Sequence, residues 1–160
     1  MSHPHADLRQ RLRRARRDLS PADQTAGARA VVQRLAPWFG RSHPATVGAY
    51  LATDGEVQVA EAVDQLRALG WVVAYPRIGN DTMTFHTVDR ETDLVEGRWG
   101  LREPPVAAPE MAPHELRVVL TPLVAFDSNC NRVGRGKAYY DRAFAFLLVD
   151  PRPQPPLLVG

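Results

Sequence analysis

Arg132-Val133-Gly134-Arg135-Gly136-Lys137 places three cations and two glycines within six residues, and Ala138-Tyr139-Tyr140-Asp141 follows at once. Glycines let backbone N–H groups approach anionic oxygens and the cations offset their charge, so the combination suits a phosphate-rich ligand. A helix beginning just beyond Lys137 would aim its positive end at the same oxygens. Asp141, one turn into that helix, could hold Mg2+ directly or through water. The pattern is not a Walker A loop, because Asn131 stands where a glycine is needed and Ala138 where Ser or Thr is needed. Taken alone, a tight glycine turn carrying solvated cations accounts for these residues at least as well.

The elements that must position this loop are readable on either side of it. Leu8, Leu12 and Ala15 recur at helical spacing among arginines, which predicts an amphipathic helix over Asp7 to Asp18. Ser20-Pro21-Ala22-Asp23 has the N-cap serine and early proline of a second helix, through about Leu35. A β-favouring run over Thr46 to Leu51, helical spacing over Val57 to Leu69, Gly70 as a stop and a strand over Trp71 to Tyr75 make a β-α-β unit. Such a unit implies a parallel sheet covered on both faces, hence an α/β fold. Thr82 to Val88 alternates like a half-exposed or edge strand, and Asp89 to Pro113 is a long irregular Gly/Pro segment. Arg117 to Pro122 reads as a buried strand, Asp127 to Lys137 as a loop, and Ala138 to Val149 as a helix stopped by Pro151. Leu157 to Val159 begins a further strand.

Composition narrows the class. A chain of 160 residues with 44% hydrophobic and 24% charged residues supports one domain with a sizeable core and is too short for two ordinary ones. Cys130 is the single cysteine, and the histidines show no zinc spacing, so neither a disulfide nor a zinc cluster is expected. No apolar run reaches membrane-spanning length and no secretory core follows the basic opening, so a cytoplasmic protein is expected; a monomer is the separate expectation for its assembly. Six arginines between Arg9 and Arg17 raise a second reading, a polyanion- or nucleic-acid-binding module. The helix lacks interleaved aromatics, which ranks that reading second.

Val119 to Asp141, VLTPLVAFDSNCNRVGRGKAYYD, closely resembles the signature of the 5-formyltetrahydrofolate cyclo-ligase family. Leu8-Arg9, Tyr50-Leu51 with Glu56, Tyr75-Pro76-Arg77, and Trp99-Gly100 with Glu103-Pro104 support the likeness along nearly the whole chain. The resemblance implies a three-layer α/β/α fold with a largely parallel central sheet, ATP and Mg2+ as cofactors, and 5-formyltetrahydrofolate as substrate. It implies catalytic roles for Lys137 and Arg135, and a nucleotide site from Arg9, Arg132, Gly134, Arg135, Gly136, Lys137, Ala138, Tyr139 and Tyr140. Leu51, Glu56, Trp99 and Tyr139 would meet the folate and Asp141 the metal. For Glu56 an acid favoured by a helix dipole is an equal alternative, and for Trp99 a core anchor.

Three positions depart from the family pattern. Ala138 replaces a glycine, His5 replaces a lysine four residues before Arg9, and the chain ends at Gly160, where the family continues. The expectation is a chain lacking the C-terminal segment that supplies a second acidic ligand. A folate- or nucleotide-binding relative with impaired catalysis is the alternative within the family.

Overall fold

The computed structural model describes residues 5–40, 43–90, 93–149 and 155–160, and of Trp99 the backbone alone. Helix α1 (Ala6–Arg17) turns Leu8, Arg9, Leu12, Arg13 and Arg16 inward, yet buries none of its residues fully. Helix α2 (Pro21–Phe39) starts as expected: the Ser20 hydroxyl accepts the Asp23 N–H at 3.2 Å, and Pro21 occupies the first turn. It runs a turn past Leu35, straight through Pro37. Buried Phe39, edge-on to Trp71 at 5.1 Å, and the Gly40 N–H on the Ala36 carbonyl at 2.9 Å hold that last turn.

Strand β1 (Thr46–Gly48), helix α3 (Ala60–Ala68) and strand β2 (Val72–Ile78) form the predicted unit, with Thr46 paired to Val72 in parallel register. Pro76 is accommodated because β1 ends opposite Ala74, before the proline's missing N–H could interrupt that ladder. Strand β3 (Met83–Thr87) returns antiparallel to β2. The irregular segment then yields three short strands: β4 (Val95–Glu96) and β5 (Arg102–Glu103) pair as a hairpin, and β6 (Glu110–Met111) pairs with β3. Of the two readings its alternation allowed, half-exposed or edge, β3 is not the edge: β6 lies outside it.

Strand β7 (Val118–Leu120) is buried throughout. β8 (Ala125–Phe126) and β9 (Arg132–Val133) form a hairpin within what reads in sequence as a loop. The expected long helix splits into α4 (Tyr139–Ala143) and a 3-10 turn over Ala145–Leu148. Phe144 breaks it, because its ring is buried 5.8 Å from Phe85 and 6.2 Å from Tyr140 and its backbone leaves helical geometry to stay there. Pro151, the expected stop, lies outside the described residues. β10 (Leu157–Val159) closes one side of the sheet.

The six-stranded order is β10-β7-β1-β2-β3-β6, with the first four strands parallel. On one face Val47, Val73, Tyr75, Val118 and Leu120 pack with Phe39, Val63 and Leu66 of α2 and α3. On the other, Ala74, Phe85, Leu116 and Val119 pack with Phe144, giving the three layers. A Cβ on Gly48 would come within 3.0 Å of Phe85 and 3.2 Å of Leu116, so the glycine permits close packing at the sheet centre. The chain leaves β1 for β2 on one side, and β7 lies on the other. The crevice beyond their carboxyl ends is where open α/β sheets bind ligands.

Candidate active site

The loop after β1 turns sharply at Asp54 and Gly55, both left-handed at φ 56° and 75°. A Cβ on Gly55 would lie 3.3 Å from the Arg16 carbonyl and 3.4 Å from the Arg17 Cα, so glycine lets this turn press against the end of α1. The Asp54 carboxylate then meets Arg13 at 2.7 Å, Arg16 at 3.3 Å, Arg17 at 3.5 Å and Arg135 at 3.8 Å. Burial raises the pKa of this carboxyl, but the Arg13 hydrogen bond and the charges of Arg13, Arg17 and Arg135 outweigh burial and hold it below its ordinary value. Arg16 also donates to the carbonyls of Asp54 at 3.1 Å and Leu123 at 3.2 Å. One guanidinium thus ties the loop after β1 to the loop after β7.

Glu56 is buried in the same turn, 7% exposed. Its Oε2 accepts the Thr53 N–H at 3.0 Å and hydroxyl at 3.3 Å, while Oε1 lies 4.0 Å from both Arg16 and Arg135. Because α3 begins at Ala60, Glu56 is outside its first turn, and the helix-dipole reading does not apply. Tyr50 donates to the Val57 carbonyl at 3.0 Å, and its pKa is pushed up to about 12 by burial and then by Glu56, against the charge of Arg16.

The glycine loop faces this turn. Arg9 donates to the Gly134 carbonyl at 2.8 Å, and Arg135 reaches the Thr53 hydroxyl at 2.9 Å. Gly136 has φ 98°, a conformation strained for any other residue, and a Cβ there would lie 3.8 Å from the Arg9 guanidinium. Ala138 adopts left-handed φ 53° at the start of α4, although it carries a side chain. Lys137 is exposed, and its side chain makes no ion pair or hydrogen bond among the described residues. Its carbonyl accepts from Arg142 at 3.0 Å, and Arg142 also lies 5.0 Å over the Tyr139 ring.

Arg132 pairs with Asp141 at 2.5 Å and lies 5.7 Å over the Tyr140 ring. The Tyr140 hydroxyl is buried with no hydrogen-bond partner among the described residues; burial first, then Glu56 and Tyr50, raise its pKa, so it stays a protonated donor. Leu51 packs half-buried against the α2/α3 face and Tyr139 against the opposite one, so these two predicted folate contacts belong to different layers. The Trp99 side chain lies outside the described residues. Sequence reasoning missed Arg13, Arg16, Thr53, Asp54 and Arg142; the Asp54-Gly55 pair is a turn signal, but nothing local says which arginines it would attract.

Residues 2–160 match the 5-formyltetrahydrofolate cyclo-ligase family. The chain belongs to that family. The 5-formyltetrahydrofolate cyclo-ligase of Escherichia coli strain K12 is 31% identical over 137 residues, which span 82% of this chain and 74% of that relative. The Haemophilus influenzae cyclo-ligase is 27% identical over 139 residues, spanning 84% and 74%. A 5,10-methenyltetrahydrofolate synthetase from Mycoplasma pneumoniae superposes with a TM-score of 0.74 over 99% of this chain and 85% of that one; at 22% identity the likeness is one of fold. The Aquifex aeolicus synthetase gives 0.76 at 26% identity, over 89% and 73%.

For a cyclo-ligase the cradle suits a polyphosphate. The guanidinium groups of Arg13, Arg16, Arg17 and Arg135 gather around two carboxylates, Asp54 and Glu56, while Arg9 sits on the Gly134 carbonyl, and together they leave positive charge in surplus near Lys137, whose side chain has no partner among the described residues. The fit to magnesium is narrower. Among the described residues no three His, Cys, Asp or Glu side chains come together, and Asp141 is engaged by Arg132. Magnesium on a nucleotide takes most of its ligands from phosphate and water, so Asp141 fits as a single carboxylate.

Proposed function

We propose that this cyclo-ligase family member converts 5-formyltetrahydrofolate to 5,10-methenyltetrahydrofolate, with ATP consumed and ADP and phosphate released. The observation that carries the reading is the surplus of positive charge, with an unengaged Lys137, where the glycine loop meets the turn holding buried Glu56. ATP supplies the phosphoryl group that turns the formyl oxygen into a leaving group as N10 closes the ring. Positioning and charge neutralisation are what such a transfer asks of the protein.

Lys137 and Arg135 stabilise charge on the transferring group, and Arg9 and Arg132 flank the nucleotide. Gly134, Gly136 and Ala138 present backbone N–H groups to the phosphates, with Tyr139 beside them. The Tyr140 hydroxyl, without a partner among the described residues, is a donor awaiting a ligand acceptor. Glu56 accepts from the pterin amino and ring N–H groups through Oε1, which no N–H of the described residues occupies at hydrogen-bond distance, and Leu51 and Trp99 add apolar surface. Asp141, paired with Arg132, is the residue that would hold magnesium, which would supply charge neutralisation to the phosphates.

The test is direct: purified protein with 5-formyltetrahydrofolate and Mg·ATP forms the methenyl chromophore and ADP together. Folded protein that neither binds nucleotide nor forms product would sink the assignment. Lys137→Ala lowers kcat by about 10²–10³ with the fold intact, the size expected for loss of one transition-state charge contact. Unchanged turnover in that variant would remove Lys137 from the mechanism.

A further inference from the structure

Helix α1 buries none of its residues fully, and Leu8 and Leu12 are only half-covered. Guanidinium contacts supply most of its attachment: Arg9 on the Gly134 carbonyl, Arg16 on the carbonyls of Asp54 and Leu123, and Arg13, Arg16 and Arg17 on the Asp54 carboxylate. Asp54 is 14% exposed at its side chain, and a fourth guanidinium, that of Arg135, stands 3.8 Å away. Without its charge, four cations would face one another across the crevice. The counter-charge left to Arg16 and Arg135 would be Glu56, 4.0 Å from each and already committed to Thr53.

We propose that Asp54 is a positioning residue for the phosphate cradle: it latches α1 across the strand ends and thereby seats Arg9 on Gly134. The ligand rests on the nucleotide reading above; the latch does not. Both halves are geometric. The left-handed turn aims the carboxylate at α1, Gly55 lets the helix end approach within van der Waals contact, and one helix then delivers Arg9 to the far side of the crevice.

Asp54→Asn isolates the charge, because asparagine matches the size of aspartate and accepts left-handed φ. Hydrogen exchange of the α1 amides, measured on unliganded protein, should speed by about tenfold in this variant, with β1, β2 and β7 unchanged. The Kd for Mg·ADP should rise by about tenfold, the scale of one charge-assisted contact. Arg14→Gln removes a charge from the outer face of the same helix, where Arg14 meets only Asp18, at 3.9 Å, among the described residues, and should change neither readout. In a double-mutant cycle, Arg9→Gln should weaken ADP binding in the wild-type background and add little to Asp54→Asn.

Unaltered α1 exchange in Asp54→Asn overturns the latch. Faster exchange with unaltered ADP affinity overturns the positioning role, and additive losses overturn the route through Arg9. If wild-type protein binds no ADP, the nucleotide reading fails, and the exchange measurement alone decides the latch.

Discussion

Ala138 holds φ at 53° at the start of α4, where the family pattern has glycine. Left-handed geometry costs a residue with a side chain about 1–2 kcal/mol. Ala138→Gly relieves that strain and gives back about 0.4–1 kcal/mol through unfolded-state entropy, the smaller of the two, so stability should rise modestly. Affinity is where the methyl group registers: calorimetric titration should show tighter ATP binding in the glycine variant, and equal or weaker binding would show that the loop already accommodates it. Asp54 makes a prediction of a different kind. Arg13, Arg16, Arg17 and Arg135 face it, with Glu56 in the same turn, and its folded pKa lies below the ordinary carboxylate value. A depressed carboxylate contributes its full stabilisation above its unfolded pKa, about 4, and loses it as pH falls through the lower folded value. Amide spectra should therefore show α1 docked at pH 5 and loosening below about pH 4, ahead of the sheet. A helix still docked after that carboxyl has protonated would contradict the role given to its charge.

At the scale of elements, local signals were reliable where a local interaction does the work. The Ser20 cap is such a case: side chain, donor and proline lie within four residues of chain. The β-α-β unit is another, since apolar period and Gly70 specify it without reference to anything distant. The end of α2 is the opposite case. Pro37 argues for a stop, and the helix continues because Phe39 finds Trp71 across the core. Phe39→Ala should cost about 3–5 kcal/mol, read as a lowered urea midpoint at unchanged m-value. A loss under about 1 kcal/mol would mean that burial of this ring does not hold the last turn. Likewise β3 alternates as an edge strand does, and only the return of Glu110–Met111 from the Gly/Pro segment moves the edge outward. Two residues of pairing leave too little pattern to see in advance.

At the scale of the molecule, the glycine loop was readable because it is contiguous, and the turn it faces was not. The contacts that join them link Arg13 to Asp54 across 41 positions, Arg16 to Leu123 across 107 and Arg9 to Gly134 across 125. Those same contacts account for the arginine-rich helix. Arg9, Arg13, Arg16 and Arg17 engage their own chain. They also have a consequence in time. Helix α1 leaves the ribosome well before Leu123 and Gly134, the residues that seat it, and it offers little apolar surface to dock earlier by itself. Pulse-labelled hydrogen exchange during refolding should find β1, β2 and β7 protected before α1, and simultaneous protection would exclude that order. A nascent chain that already holds its central strands would still lack a cradle for phosphate, and α1, arriving late, would mark the moment at which the molecule becomes able to bind.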